Sequence, residues 1–292
     1  MDLPVAQLEA LVAIADRGSF EAAARHLSVT PSAISQRIRA LESAAGRVLV
    51  QRASPCRPTD AGETLVRLGR QTQVLHADAR RVLAPDDAPA ADLPVAVNAD
   101  SLATWFRDVL ASVADRDGLA LSLHVEDQAY TARLLRSGDC LAAVTSDPTS
   151  VQGCSVEPLG RMRYRPAAAP GFAGRWRGGR GYDWARMPVV VFNDKDDLQH
   201  RVLRELGVVG PTVVHRVPTS ADFHEAIRRG LGWGLLPDAQ LGPDVELGRL
   251  VVLRGRVHVD VTLHWQRWRL DSPPLNALTD DVRRAASAHL RR

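Results

Sequence analysis

Thr30-Pro31-Ser32-Ala33-Ile34-Ser35-Gln36-Arg37-Ile38-Arg39-Ala40-Leu41-Glu42 decides how the first part of this chain folds. Thr30 suits a helix N-cap, and Pro31 suits the first helical position, where its missing N–H removes nothing. A helix then runs to about Ser43. Ile34, Ile38 and Leu41 fall on one face; Ser32, Ser35, Gln36 and Arg39 fall on the other. An apolar face opposite a Ser/Gln/Arg face suits a helix packed on a small core and laid against DNA. An ordinary amphipathic surface helix has the same pattern. Upstream, Leu8, Leu11, Val12 and Ala15 recur at helical spacing, Gly18 stops that helix, and Ser19 caps a second one ending near Leu27. Ser28-Val29-Thr30 is a short turn. A helix, a three-residue turn and a capped helix favour the DNA-reading arrangement.

Downstream, Pro55-Cys56-Arg57-Pro58 breaks the chain and Thr59 caps a long helix to about Leu83. Ala61, Leu65, Leu68, Thr72, Leu75, Ala79 and Val82 alternate spacings of four and three, a heptad seam. Packing on the protein's own core also fits. A helix standing between two domains has little core of its own to cover, so dimerisation through Leu65, Leu68, Leu75 and Val82 is favoured. The Pro/Asp/Ala segment 85–92 reads as a hinge. Beyond it the pattern alternates strands (93–97, 119–125, 141–144, 189–192, 213–217, 234–236) with helices (about 101–113, 129–137, 198–206, 220–229), which argues for α/β architecture.

The bulk numbers agree with two domains. The 292 residues are 45% hydrophobic with a net charge of +3, mildly basic and compatible with a nucleic-acid partner. Lys195 is the one lysine among 37 Lys plus Arg, which a GC-rich genome explains most simply. Three cysteines without CxxC spacing give no disulfide framework. No signal-peptide h-region and no apolar run of membrane-spanning length is present, so a cytoplasmic protein is expected.

Ser19-Phe20, Ala22-Ala23, Leu27, Thr30-Pro31-Ser32-Ala33, Ser35, Ile38, Leu41-Glu42, Gly46, Leu49, Arg52, Pro58-Thr59 and Ala61-Gly62 resemble the N-terminal signature of LysR-type transcriptional regulators. Val50 departs from it, since the family usually has Phe there. Leu93-Pro94-Val95-Ala96-Val97-Asn98-Ala99-Asp100-Ser101-Leu102-Ala103-Thr104-Trp105 is similar to the start of the sensor domain in the LysG/ArgP group, which activates genes for export of basic amino acids. The resemblance covers essentially the whole chain and is weaker at 150–187 and 240–292. It implies an all-α winged helix-turn-helix (1–58), a long dimerising linker helix (59–84), and an α/β sensor shaped like a periplasmic binding protein (93–292). That sensor would have two subdomains, 93–162 plus 267–292 and 163–266, with an effector cleft between them. Operator DNA, a small effector and RNA polymerase are the expected partners of a homodimer or tetramer.

Two sites follow. For DNA, Ser32, Ser35, Gln36 and Arg39 are base-contact candidates; Arg37, Arg52 and Arg57 are phosphate candidates. For the effector, Asn98, Asp100 and Ser101 lie where a strand ends and a helix begins, the place where open α/β sheets bind ligands. Helix N–H groups and Ser101 suit a carboxylate. A cationic end requires acids, from Asp100, Glu126 and Asp127 or from Asp194, Asp196, Asp197 and Asp222. Thr145 and Ser220 are further polar candidates. Capping alone also explains Asp100 or Ser101, and a solvated loop explains Asp196 and Asp197.

Lysine, arginine or histidine is the expected effector; a cleft rich in Arg and poor in acids would point to an organic or aromatic acid instead. An enzyme on a binding-protein-like fold would require a nucleophile–base pair or metal cluster. Neither appears: there is no GxSxG, and His200, His215 and His224 lack metal spacing. No cofactor is expected. Gly230–Pro237 is not a phosphate loop and reads as a turn into a buried strand. His264, Trp265 and Trp268 read as packing residues.

Overall fold

The computed structural model describes residues 2–84, 90–125, 128–179, 181–210 and 213–292. Three helices open the chain: α1 (Val5–Arg17), α2 (Phe20–His26) and α3 (Pro31–Ala45). Their ends follow the local chemistry. Gly18 closes α1 in the left-handed conformation; Ser19 accepts a hydrogen bond from Ala22 N (3.1 Å) and Thr30 from Ala33 N (3.2 Å). Ile34, Ile38 and Leu41 are fully buried against α1 and α2.

β1 (Val50–Gln51) and β2 (Arg57–Pro58) pair antiparallel, so the N-terminal unit is not all-α as expected. Glu42 helps to make that ladder. Its carboxylate accepts from Leu49 N (2.9 Å) and Val50 N (3.4 Å), tying the end of α3 to the first strand.

α4 (Asp60–Leu83) starts at the Thr59 cap, which accepts from Gly62 N at 3.1 Å. Gly62, Leu65, Val66 and Gly69 bury one face of its first half against the N-terminal core. The contact is close: a Cβ on Gly62 would lie 2.1 Å from the Leu49 carbonyl oxygen.

The larger unit runs β3 (Ala91–Val97), α5 (Ala99–Ala103), α6 (Phe106–Ala114), β4 (Leu119–Val125), α7 (Gln128–Ser137), β5 (Ala142–Thr145), β6 (Cys154–Ala168), α8 (Pro170–Arg175), β7 (Arg177–Gly178), β8 (Gly181–Tyr182), β9 (Val189–Val191), α9 (Leu198–Glu205), β10 (Val214–Arg216), α10 (Ser220–Arg228), β11 (Gly234–Pro237), α11 (Asp238–Glu246), β12 (Val251–Val252), β13 (Val259–Trp268) and α12 (Pro273–His289). Among the described residues seven strands form one sheet in the order β11-β6-β13-β5-β3-β4, with β12 also on β6. β3 is parallel to β4 and β5, whereas β13 is antiparallel to β5 and β6. β9 and β10 form a separate parallel pair.

β6 and β13 are the two long strands that pass between the halves of this unit. β13 gains β5 as a partner at His264, just after the register shift at Leu263/His264. The return to the first half therefore comes three residues before the boundary at 266/267. α12 packs on α6 there, and Arg116 donates to the fully buried Asp281 at 2.8 Å. The single helix expected over 101–113 is two helices, because Thr104 turns its hydroxyl back to the Asp100 carbonyl (2.6 Å) and Trp105 enters the core.

Candidate functional site

α3 presents Ser32, Gln36 and Arg39 to solvent, with Ser35 and Arg37 half-buried beside them. Thr30 and Ser32 hydroxyls share a hydrogen bond of 2.9 Å. Among the described residues the Gln36 and Arg39 side chains have no partner within the chain. Arg52 is exposed with its guanidinium 5.3 Å from the centre of the Phe20 ring, and Arg57 is exposed on β2. The helix and the short ladder thus place their polar and cationic side chains outward, where groups that contact DNA must lie.

A cleft of about 750 Å³ lies between the halves of the larger unit. Asn98, Asp100 and Val125 line it from the first half. Phe192, Asp196, Arg201 and Phe223 line it from the second, and Tyr164 and Val261 from the crossing strands. The local cause at one wall is the cap: Asn98 accepts from Ser101 N (3.2 Å), which starts α5 and turns Asp100 toward the cleft.

Asp100 spans the cleft. Tyr164 Oη donates to one carboxylate oxygen at 2.9 Å and Ser220 Oγ to the other at 3.0 Å, with Gln240 Nε2 donating to Ser220 Oγ (3.2 Å). Burial pushes the Asp100 pKa above its ordinary 3.8; the two hydrogen bonds oppose that, and the negative charge of Asp196 adds to it. Burial, then the neighbouring Asp100, push the Tyr164 phenol well above its ordinary 10.0, so it stays a hydrogen-bond donor. Asp196 is held by its own loop, accepting from Phe192 N (2.8 Å) and Leu198 N (3.2 Å).

The structure brings Asn98, Asp100 and Ser220 together and leaves Ser101, Thr145, Asp194 and Asp222 off the cleft lining. Ser101 is fully buried and its hydroxyl does not face the cleft; one step along the helix start turned it inward. Thr145 is buried at the end of β5 and accepts from Asp147 N (3.1 Å). Asp194 is exposed and paired with Arg216 at 2.5 Å. Glu126 and Asp127 lie outside the described residues. Asp197 lines the rim and pairs with Arg204, which lowers its pKa, and Asp222 takes the Thr219 hydroxyl at 2.6 Å. Phe192, Lys195, Arg201, Phe223 and Val261 line the cleft outside the candidates read from the sequence, as does Tyr164, the one that bonds Asp100. The signal for Tyr164 was the alternation Met162, Tyr164, Pro166 against Arg161, Arg163, Arg165.

Among the described residues no group of three or more His, Cys, Asp or Glu is placed to hold a metal. No helix of theirs is long and apolar enough to cross a membrane.

Residues 5–63 match the family described as bacterial regulatory helix-turn-helix protein, lysR family, and residues 86–287 match the LysR substrate binding domain. The chain belongs to the LysR family of transcriptional regulators. Within it, the LysG/ArgP group is the one it falls in. It is 49% identical to the lysine export transcriptional regulatory protein LysG of Corynebacterium efficiens over 97% of this chain and 98% of that protein. It is 37% identical to the transcriptional regulator ArgP of Pseudomonas aeruginosa over 94% of this chain and 93% of that one. Full-length LysG of Corynebacterium glutamicum, solved with bound effector Arg, superposes with a TM-score of 0.87 at 44% identity, covering 99% of this chain and 100% of that one. These relatives are named as regulators, and this chain is a regulator and not an enzyme.

Proposed function

We propose that a basic L-amino acid, arginine, lysine or histidine, enters the cleft and that the regulator uses it to control a gene for export of such amino acids. The observation that carries this is the pair of carboxylates, Asp100 and Asp196, facing one cleft from opposite halves. Asp100 is ionised there at a disadvantage from burial and from Asp196. A guanidinium or ammonium between them converts that disadvantage into attraction. Acids Asp100, Asp196 and Asp197 outnumber Lys195 and Arg201 on the lining, which disfavours an organic-acid ligand. The cations on the second half suit the ligand's carboxylate, a role first given to Ser101. LysG of Corynebacterium glutamicum carries Arg as its effector.

A ligand held by both halves biases the angle between them, and a ligand shifts an equilibrium only by its differential affinity for the two states. In this reading α3 enters the major groove with Ser32, Ser35, Gln36 and Arg39 near bases. β1 and β2 form the wing, and Arg37, Arg52 and Arg57 hold phosphates. α4 pairs two copies at the operator, where RNA polymerase is the further partner.

Calorimetric titration of the purified protein with each of the twenty amino acids tests the effector. Arginine, lysine or histidine is expected to bind in about the micromolar range. Binding of none of the three at millimolar concentration overturns this reading and leaves the family assignment standing.

The DNA face has its own test. Arg39→Ala and Gln36→Ala are each expected to weaken specific operator binding by about 1–3 kcal/mol per lost base contact. Both side chains are exposed and unpartnered among the described residues, so thermal unfolding should stay at the parent temperature. Operator affinity equal to the parent in both variants refutes the placement.

A further inference from the structure

Arg70, midway along α4, holds the N-terminal unit and the sensor with one guanidinium. One arm pairs with Asp16 in the last turns of α1. The other meets Asp139 at 2.5 Å and donates to the Ser137 carbonyl at 3.0 Å, at the end of α7 and in the turn that leads to β5. The Arg70 side chain is 15% exposed although both aspartates are near 40%. The turn is shaped to receive it. Gly138 has φ +82°, and a Cβ there would lie 2.8 Å from the Trp268 ring and 3.2 Å from Arg70 Cδ. Trp268 is buried and donates to the Leu135 carbonyl at 3.1 Å. Trp268 also ends β13, one of the two strands that cross between the halves of the sensor.

We propose that Arg70 is the positioning residue through which the sensor sets the DNA-reading helix. Trp268 and the Gly138 turn belong to the first half, so a change in the angle between the halves moves them as one body and carries the guanidinium with them. The guanidinium moves α1, on which α3 packs. Packed contacts of this kind pass a displacement on because neither Trp268 nor Gly138 has room to absorb it. The fork is necessary: two carboxylates and a carbonyl on different elements require donors fixed in one plane, which lysine does not have. Arg67, which donates to the Gln152 carbonyl at 3.2 Å, steadies α4 on the sensor but does not reach α1.

The inference rests on the reading that a cleft ligand controls DNA binding, so two readouts are used. The first is operator affinity with and without L-arginine. Coupling between two sites typically changes affinity about 5–150-fold. Arg70→Met is expected to bind L-arginine and operator separately almost as the parent does, while the ratio of operator affinities with and without L-arginine falls to near one. A ratio equal to the parent's overturns the proposal. The second readout uses no amino acid. Operator DNA should change hydrogen exchange at residues 137–141 in the parent and leave it unchanged in Arg70→Met; an equal response in both proteins overturns the proposal. If the parent ignores L-arginine yet shows the exchange response, the effector reading fails and the Arg70 inference stands. Asp16→Ala keeps the contact of α4 with the sensor and removes the α1 arm alone. It should reproduce both losses with unchanged thermal stability, which separates a transmitting role from a structural one.

Discussion

Asp100→Asn is expected to weaken L-arginine binding about 10–150-fold, the loss of one charge-assisted hydrogen bond of about 1.5–3 kcal/mol, without lowering the stability of the unliganded protein. The two effects have one cause. The Asp100 carboxylate is pushed toward its neutral form by burial and by Asp196, and is partly held ionised by Tyr164 and Ser220. An amide keeps the acceptor for Tyr164 and can donate to Ser220 Oγ, so the bridge across the cleft survives without the charge. Neutral amino acids should lose far less affinity than arginine or lysine.

The pH dependence follows from the same residue. Its folded-state pKa lies above the unfolded 3.8, so between the two values the folded state binds more protons. Its contribution to stability is therefore fully present below the unfolded pKa and falls as pH rises through the folded one. Arginine affinity moves the opposite way, rising as the carboxylate ionises. Calorimetry and thermal unfolding across the acid-to-neutral range check both slopes. Arginine affinity equal to the parent, or a less stable unliganded variant, removes Asp100 from its assigned role.

What the sequence made legible was local. Thr30, Ser19 and Thr59 accept the hydrogen bonds their positions announce, because a cap depends on three or four consecutive residues. Ile34, Ile38 and Leu41 face inward because helical periodicity alone puts them together. The cleft was only partly legible. Asn98 and Asp100 were found from a strand end and helix start, but a side chain's direction turns by about 100° per helical residue, and Ser101 went to the core. Asp196 and Asp197 are adjacent in sequence and part in space: one is held by Phe192 N and Leu198 N on the cleft, the other pairs with Arg204. Tyr164 depends on the pairing of β6 with β13, between residues about a hundred positions apart, and no local pattern encodes that partner.

If α4 pairs two copies as proposed, Leu68→Asp with Leu75→Asp is expected to give a folded monomer, and the exposure of each seam residue says which of them would carry the pairing. The heptad seam divides in two. Leu65 is 8% exposed and packs into the chain's own N-terminal core, so it does not belong to an interface between copies. Leu68 is 36% exposed, Leu75 45% and Val82 80%, and these apolar side chains follow one another down one edge of α4. Burying a leucine side chain against a partner contributes about 1.5–3 kcal/mol when it starts fully exposed, and less from the partial exposure here. A two-fold interface repeats each position, so the double substitution removes four such contacts and places aspartates of one sign across the axis. At even about 1 kcal/mol per contact, the dissociation constant rises roughly a thousandfold. The chain's own cores lose little, because neither leucine is one of their members. Light scattering should therefore give the monomer mass while circular dichroism and amino-acid binding stay at parent values, and operator affinity should fall because two DNA-reading helices no longer bind together. A variant that remains dimeric assigns the interface to another surface and leaves α4 as a spacer.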